Sequence, residues 1–221
     1  LDKYAKYFGL GNKTGVELRD ETSGVLASKE TKAKMHPDAS YWAPGDTLNA
    51  AIGQGDNEFS PLQMAKYISM LANGGNKIDV SIIKTIRKAD GTEESRDNIK
   101  NFVKQKLGLS DGNTEDLNIN KDNLQVVLEG MRSVTEEGTA ASIFKDFEIA
   151  VGGKTGSAEA PGNKVNAWFA GFAPFDNPEI AVVVLVEHGG TGGYTAGVAR
   201  DIMKEYFGMN SKSVTENVQA T

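Results

Sequence analysis

The sequence predicts an α+β fold, an antiparallel sheet flanked by helices, and three observations predict it. Strand-like runs follow one another closely at 147–152 (leading into Lys154), 165–172 and 180–187. Connections this short leave no room for a crossover helix, so the strands form an antiparallel meander. Helical patterns with clear start and stop signals precede the runs, and a last helix at 195–207 carries an apolar stripe, Ala199, Ile202, Met203 and Tyr206, that needs a sheet to cover.

The chain opens on Leu1, Tyr4, Ala5 and Phe8 at helical spacing, with Gly9 as a stop. Residues 9–46 are rich in Gly, Asp, Pro and Lys without sustained periodicity and read as extended loop with one short helix near 29–34. Ser60-Pro61-Leu62-Gln63 then starts a helix with agreeing signals. Ser60 is the N-cap, Pro61 occupies the first turn, and Gln63 closes a capping box. Leu62, Ala65, Ile68 and Leu71 or Ala72 form its apolar stripe, and Gly74-Gly75 ends it.

Residues 80–86 alternate enough to predict a strand, followed by a turn at Ala89-Asp90-Gly91. The polar stretch 98–120 predicts a short helix at 102–107 and is the expected place for an insertion. A strong helix follows at 121–136, its inner face being Leu124, Val127, Leu128, Met131 and Val134, with Gly138 beyond its end. Gly208 caps the final helix, and the polar tail, 209–221, is expected to be disordered. No internal repeat is visible.

Composition excludes several classes. The chain has 221 residues, 39% of them hydrophobic, enough for one large domain or two small ones. A net charge of -6 and a pI near 5.1 argue against a nucleic-acid partner, which needs clustered Lys and Arg. With no cysteine there is no disulfide scaffold, cysteine nucleophile or thiolate metal site. The two histidines, His36 and His188, lack metal-ligand spacing, and no cofactor or metal is expected. His36, before Pro37, reads as a loop residue, and His188 as a structural or surface residue at a strand end rather than a base. No uncharged run reaches the ~18 residues needed to cross a bilayer. Because Leu1 already lies in a helical pattern, the chain reads as part of a longer protein, with any membrane anchor outside it.

The chemistry centres on Val151-Gly152-Gly153-Lys154-Thr155-Gly156-Ser157-Ala158-Glu159, a strand running into a Lys-Thr-Gly triplet. That triplet is the third element of serine acyl-transfer sites, after a Ser-x-x-Lys and a Ser-x-Asn element. An ammonium and a hydroxyl on one strand edge can hold a carboxylate, and Gly156 lets a substrate backbone approach closely. The Ser157 backbone N–H can supply half of an oxyanion hole, where one donor is worth ~3 to 4 kcal/mol of transition-state stabilisation. Three residues alone recur by chance, and Lys13-Thr14-Gly15 is a second copy, in a Gly-rich loop without a strand before it, which reads as a turn.

Further stretches set the triplet in context. Ala51-Ile52-Gly53-Gln54-Gly55, Ser60-Pro61-Leu62-Gln63-Met64-Ala65 and Leu71-Ala72-Asn73-Gly74-Gly75 resemble the helix-entry region of class B, monofunctional penicillin-binding proteins. Gly130-Met131-Arg132 to Gly138-Thr139-Ala140 resembles the helix ahead of their Lys-Thr-Gly strand, and Asn166-Ala167-Trp168-Phe169-Ala170-Gly171-Phe172-Ala173-Pro174 the strand after it. The pieces stand in the family's order and span residues 1–207, so 1–208 is expected to be the C-terminal part of a penicillin-binding transpeptidase domain of the serine β-lactamase and D,D-peptidase superfamily, incomplete at its N-terminal side.

The resemblance implies a membrane-anchored enzyme at the extracytoplasmic face of the bacterial membrane, cross-linking peptidoglycan stem peptides that end in D-Ala-D-Ala. A serine attacks the penultimate carbonyl, D-Ala leaves, and the acyl group passes to an amine on a neighbouring strand; β-lactams mimic the substrate and trap the serine. Carried over, Lys154 and Thr155 bind the terminal carboxylate, Gly156 gives access, and Ser157, where many relatives have threonine, contributes the oxyanion N–H. Cell-wall synthesis proteins are the expected partners. The family's Ser-x-x-Lys and Ser-x-Asn elements would precede Leu1, so this stretch alone is expected to be inactive.

Rival readings are weaker. Ser81-Ile82-Ile83-Lys84 matches Ser-x-x-Lys but lies on a strand-like run, where residues three apart face opposite sides. A phosphate-binding loop ending at Gly153-Lys154-Thr155 would need glycine where Glu148 stands. No G-x-S-x-G elbow is present. Trp168 and Phe169 read first as strand core and surface positions, and Glu93-Glu94 and Glu136-Glu137 as solvated charges. The alternative from another class is a sensor or scaffold module of the same fold that binds peptide or β-lactam without turnover.

Overall fold

A computed structural model describes residues 1–107 and 118–209. The chain divides into two compact units, Leu1–Lys66 with Lys77–Asn118, and Tyr67–Asn76 with Ile119–Thr221.

The second unit holds the sheet. Strands β1 (Gly152–Ala160), β2 (Lys164–Ala173) and β3 (Ile180–Val186) form an antiparallel meander in the order β1-β2-β3. The meander and the last two strands agree with the sequence reading, whereas the first strand, expected at 147–152, begins only at Gly152 and carries on to Ala160, with 147–151 entering it as irregular backbone. Glycines opposite aromatics set the close packing. A Cβ on Gly152 would stand 2.5 Å from the Phe172 ring, its cross-strand partner, and one on Gly153 would stand 2.6 Å from the Phe169 ring on the other face. Phe169 therefore lies flat over strand backbone that any other residue would push away.

That face is covered by helices. Helix α6 (Lys121–Glu136) packs on β1, and α8 (Gly193–Tyr206) on β2 and β3. The short α7 (Ala141–Phe144) packs between α6 and α8. Ala196, Ala199 and Met203 of α8 join Ala140, Phe144, Phe147, Val151, Phe169 and Val182 in one buried cluster. Phe144 stacks on Phe169 with ring centroids 5.7 Å apart.

The inward stripes differ in detail from the sequence reading. In α6 the buried positions are Leu124, Met131 and Thr135, while Val127 is 49% exposed. Ile202 and Tyr206 of α8 are 44% and 53% exposed, and Thr195 and Ala196 take the inner places. At 100° per residue Ile202 lies at the border of the face that Thr195, Ala199 and Met203 present, and Tyr206 is the last residue of the helix.

The first unit contains α1 (Asp2–Tyr7), α2 (Lys29–Met35), a 3₁₀ turn (Pro37–Ala39), α3 (Pro44–Ala51), the first half of α4 (Pro61–Ala72) and α5 (Arg96–Leu107). The capping box of α4 forms as read: the Ser60 N–H donates to Gln63 Oε1 at 2.8 Å, and the Gln63 N–H donates to Ser60 Oγ at 3.2 Å. The predicted strand at 80–86 does not form. Only a small hairpin exists there, with the Lys88 N–H donating to the Thr92 carbonyl and the Glu94 N–H to the Ile86 carbonyl, each at 2.8 Å, around Gly91 at φ +83°. Alternation was the sole signal, and Ile82 and Ile86 are 63% and 40% exposed, so no apolar face holds a ladder.

Residues 9–46, read as mostly loop, contain the predicted α2, and an unforeseen helix, α3, begins at their end with Pro44 and runs on to Ala51. Asp46 starts α3 by accepting the Ala43 N–H at 2.7 Å and pairing with Lys32 at 2.6 Å. The expected tail at 209–221 lies, beyond its first residue, outside the described residues, as does 108–117 of the expected insertion.

Candidate functional site

Strand β1 is an edge of the three-stranded sheet, and the Lys-Thr-Gly triplet lies midway along it. Lys154 pairs with Ala170, Thr155 with Phe169, Gly156 with Trp168 and Ser157 with Ala167. Side chains alternate along a strand, so Lys154 and Gly156 belong to one face, Thr155 and Ser157 to the other. One ligand can meet both Lys154 and Thr155 only by lying along the strand edge.

Both side chains are available there. Lys154 and Ser157 are exposed, and Thr155 and Gly156 are half-buried. The Lys154 ammonium curls along its strand and donates to the Thr155 carbonyl at 2.8 Å. Among the described residues no carboxylate pairs with it. A cation held by a neutral carbonyl keeps its full charge for an anion.

Two elements support Thr155 from behind. Gly192, at the start of α8, approaches so closely that a Cβ there would lie 3.1 Å from Thr155 Cβ, 3.1 Å from the Gly156 carbonyl and 2.9 Å from the Trp168 carbonyl. Thr139, in the turn after α6, places its hydroxyl 2.8 Å from the Thr155 hydroxyl. Neither contact is legible from residue type or spacing alone. The Gly-rich run Gly189-Gly190-Thr191-Gly192-Gly193 ahead of a helix was the available signal for the first.

Gly156 has a packing reason beside the functional one. A Cβ there would press on Trp168 Cβ at 3.2 Å. Trp168 is half-buried directly opposite, on the Gly156 face of the sheet.

The other motifs resolve into structural roles. In the second Lys-Thr-Gly copy, the N–H and hydroxyl of Thr14 donate to Glu21 Oε1 at 2.7 and 2.5 Å, and the Gly15 N–H donates to Oε2 at 3.1 Å. It is a turn held by one carboxylate, as read. Ser81 lies on irregular backbone rather than on a strand, and its hydroxyl donates to Glu17 Oε1 at 2.5 Å. Burial raises the Glu17 pKa, but the bonds from Ser81 and from the Ile82 N–H outweigh it and leave the carboxyl below its usual value. A serine donating to a carboxylate at an exposed loop has no lysine base in line. His36 pairs with Asp56 at 3.0 Å. His188 sits at φ +57° in a turn after β3, its N–H donating to Asn166 Oδ1 at 3.0 Å. Both act in structure.

A further Ser-x-x-Lys, Ser142-Ile143-Phe144-Lys145, not among the motifs read above, lies unlike Ser81 on a helical turn, that of α7. Ser142 and Lys145 are both exposed, and among the described residues no hydrogen bond joins them. Phe144 faces the core and the Ile143 carbonyl accepts from Arg200 Nη1 at 3.2 Å, so α7 is occupied in packing. A nucleophilic serine needs its base within hydrogen-bond reach.

Among the described residues no cluster of metal-ligating side chains occurs, and no helix is long and apolar enough to cross a membrane.

The sequence and the fold are similar to those of known proteins. The family model "Penicillin binding protein transpeptidase domain" matches residues 1–204. The peptidoglycan D,D-transpeptidase MrdA of Haemophilus influenzae is 30% identical over 224 residues, covering 93% of this chain and 32% of the relative. Penicillin-binding protein H of Bacillus subtilis is 33% identical over 196 residues, covering 84% of this chain and 25% of the relative. The crystal structure of Pseudomonas aeruginosa PBP2 in complex with WCK 5153 superposes with a TM-score of 0.75 at 31% identity, over 92% of this chain and 42% of that one. The chain thus spans between a quarter and a third of the length of these two curated relatives.

Proposed function

Given that the chain belongs to the penicillin-binding protein transpeptidase domain family, we propose that its β1 edge is the carboxylate-binding wall of a serine-type peptidoglycan D,D-transpeptidase, and that residues 1–208 form the C-terminal part of that domain. The observation that carries the reading is the Lys154 ammonium and the Thr155 hydroxyl standing beside each other on an edge strand, the ammonium unopposed by any carboxylate among the described residues.

In this reading the stem peptide, ending in a carboxylate, lies along β1. Thr155 donates its hydroxyl proton to the carboxylate and Lys154 supplies the charge, while Gly156 leaves the edge free of a side chain. Such charge-assisted bonds are shorter and about twice as strong as neutral ones. The Ser157 N–H is the donor to the oxyanion that forms as the serine attacks the penultimate carbonyl. D-Ala departs, and an amine from a second peptide resolves the acyl-enzyme. β-Lactams, which carry a carboxylate beside a reactive amide, follow the first half of this course and stop there. The reaction places the protein at the outer face of the cytoplasmic membrane, where its substrate is. Cell-wall synthesis proteins are its proposed partners; a PBP2 of Helicobacter pylori is known in complex with MreC.

The nucleophile is neither Ser81 nor Ser142, because neither has a lysine hydrogen-bonded to it. In this reading the 221-residue chain is expected to be inactive by itself. Relatives named as D,D-transpeptidases favour this enzyme over a sensor or scaffold of the same fold.

A fluorescent penicillin tests the reading. The protein as its gene encodes it, incubated with the probe and resolved on a denaturing gel, is expected to label covalently, with Thr155→Val lowering the rate at least about tenfold, the size of one lost charge-assisted bond. The 221-residue chain is expected to stay unlabelled. Labelling of that chain, abolished by Ser142→Ala, would place the nucleophile inside it. No labelling of the folded whole protein would favour the sensor.

A further inference from the structure

Two threonines at the C-terminal end of α6 meet two positions on the chain entering and forming β1, and the spacing is the same on both sides: Thr135 meets Val151, and Thr139 meets Thr155. The first contact is buried. The Thr135 hydroxyl lies 2.5 Å from the Val151 carbonyl and 2.9 Å from the Arg132 carbonyl, so its proton serves backbone acceptors alone. The second contact is exposed and joins two hydroxyls, Thr139 Oγ1 and Thr155 Oγ1, 2.8 Å apart.

The turn that brings Thr139 there is built with care. The N–H of Gly138 donates to the Ser133 carbonyl at 2.8 Å and that of Ala140 to the Val134 carbonyl at 3.0 Å, folding the chain back over the end of α6. A Cβ on Gly138 would stand 2.8 Å from Val134 Cα. Ala140 is fully buried immediately after, which anchors the backbone of Thr139 beside β1.

A hydroxyl has one proton and two lone-pair sites. Between two hydroxyls the direction of donation is open until a third group chooses it. An anion at Thr155 takes the Thr155 proton; the Thr155 oxygen then accepts from Thr139. We propose that Thr139 is a positioning residue of the carboxylate site: by donating to Thr155 Oγ1 it aims that hydroxyl's proton at the bound carboxylate and strengthens the bond it makes. Chained hydrogen bonds polarise one another, so removal of the outer member weakens the inner one. This inference rests on the reading of Thr155 as a carboxylate contact. Gly192 also packs near Thr155: a Cβ on it would stand 3.1 Å from Thr155 Cβ.

The test uses the whole gene product with Thr139→Val, Thr139→Ser, Thr155→Val and the Thr139→Val/Thr155→Val pair. Acylation by a fluorescent penicillin is followed over a range of concentrations, to separate the half-saturating concentration from the limiting rate, and melting is recorded for each protein. Thr139→Val is expected to raise the half-saturating concentration about fivefold to tenfold, the size of one hydrogen bond, with the limiting rate within about twofold. Thr139→Ser is expected to restore it, and Thr139→Val to add nothing when Thr155 is already Val.

If Thr155→Val impairs acylation and Thr139→Val does not, the inference falls while the site reading stands. If Thr155→Val itself has no effect, the site reading falls, and this inference with it. Equal losses from Thr139→Val with and without Thr155, accompanied by a lower melting point, would make Thr139 merely structural and overturn the proposal. Should Thr139→Val not fold, Thr139→Ala supplies the same comparison with a smaller side chain.

Discussion

The two units are held together by different physics. The second is an apolar sandwich of helices on a sheet, in which Phe169, Phe172, Ala196, Ala199 and Met203 are fully buried. The first is stitched by polar side chains reaching backbone. Buried Gln63 donates to the carbonyls of Asn12 and Ser23 at 2.8 and 2.7 Å and accepts the Ser60 N–H at 2.8 Å. Asn57 accepts the Ala27 N–H at 2.9 Å and donates to the Ala50 and Gln54 carbonyls. Glu21 holds Thr14 and Gly15 in the same way. Loops with no periodicity become ordered when a few amides and carboxylates satisfy their backbone groups. The candidate site lies on the apolar unit, where rigid elements set positions most closely.

Each unit has one tryptophan, Trp42 in the first and Trp168 in the second, so Trp42→Phe and Trp168→Phe backgrounds report the two separately. The largest effect is expected from Phe169→Ala, which empties the centre of the sandwich and should cost about 4 kcal/mol in denaturant unfolding read at Trp168. An equal shift at Trp42 would mean that the two units unfold together and that the contrast has no thermodynamic consequence. Gln63→Leu comes next. It leaves two carbonyls and one N–H without their partner and is expected to cost about 3 kcal/mol, read at Trp42. A cost below about 1 kcal/mol would show that water replaces the amide and that the stitching is incidental.

Gly153→Ala should cost about 2 kcal/mol at Trp168, since the new methyl meets the Phe169 ring. The smallest effect concerns Glu94 in the hairpin of the first unit. Its hydrogen bond from Lys88, followed by those from Asn98 and the Ser95 N–H, lowers its pKa from 4.5 to about 2. A carboxyl depressed on folding contributes stability above its unfolded pKa and loses that contribution as pH falls through the folded value. Carbon-13 titration of Glu94 should therefore show ionisation persisting well below pH 4.5, and Lys88→Met should move the midpoint upward. No movement would remove Lys88 as the cause.

The same contrast explains what was legible in the sequence. β2, β3, α6 and the start of α4 were readable because apolar period, capping residues and glycine stops agreed, whereas β1 was read too early, at the apolar run before Gly152. The strand expected at 80–86 failed because alternation without a buried face fixes nothing. Helix α3 was hidden because it is short and its start depends on Asp46 accepting the Ala43 N–H and pairing with Lys32, fourteen residues earlier, rather than on an apolar period. The triplet Lys154-Thr155-Gly156 was visible as a motif on a strand. Thr139 was not, because its contact with Thr155 arises from the turn at Gly138 and has no period. Ser142-Lys145 was overlooked as a motif, and its geometry then set it aside.

A crystal structure of the whole gene product acylated by a penicillin tests the central claim most directly. The account expects the drug's carboxylate within ordinary hydrogen-bond distance, about 2.7 to 3.2 Å, of Thr155 Oγ1 along the β1 edge, with the Lys154 ammonium nearby and the acylated serine outside residues 1–221. A carboxylate bound away from β1, or an acyl group on Ser81 or Ser142, would contradict it.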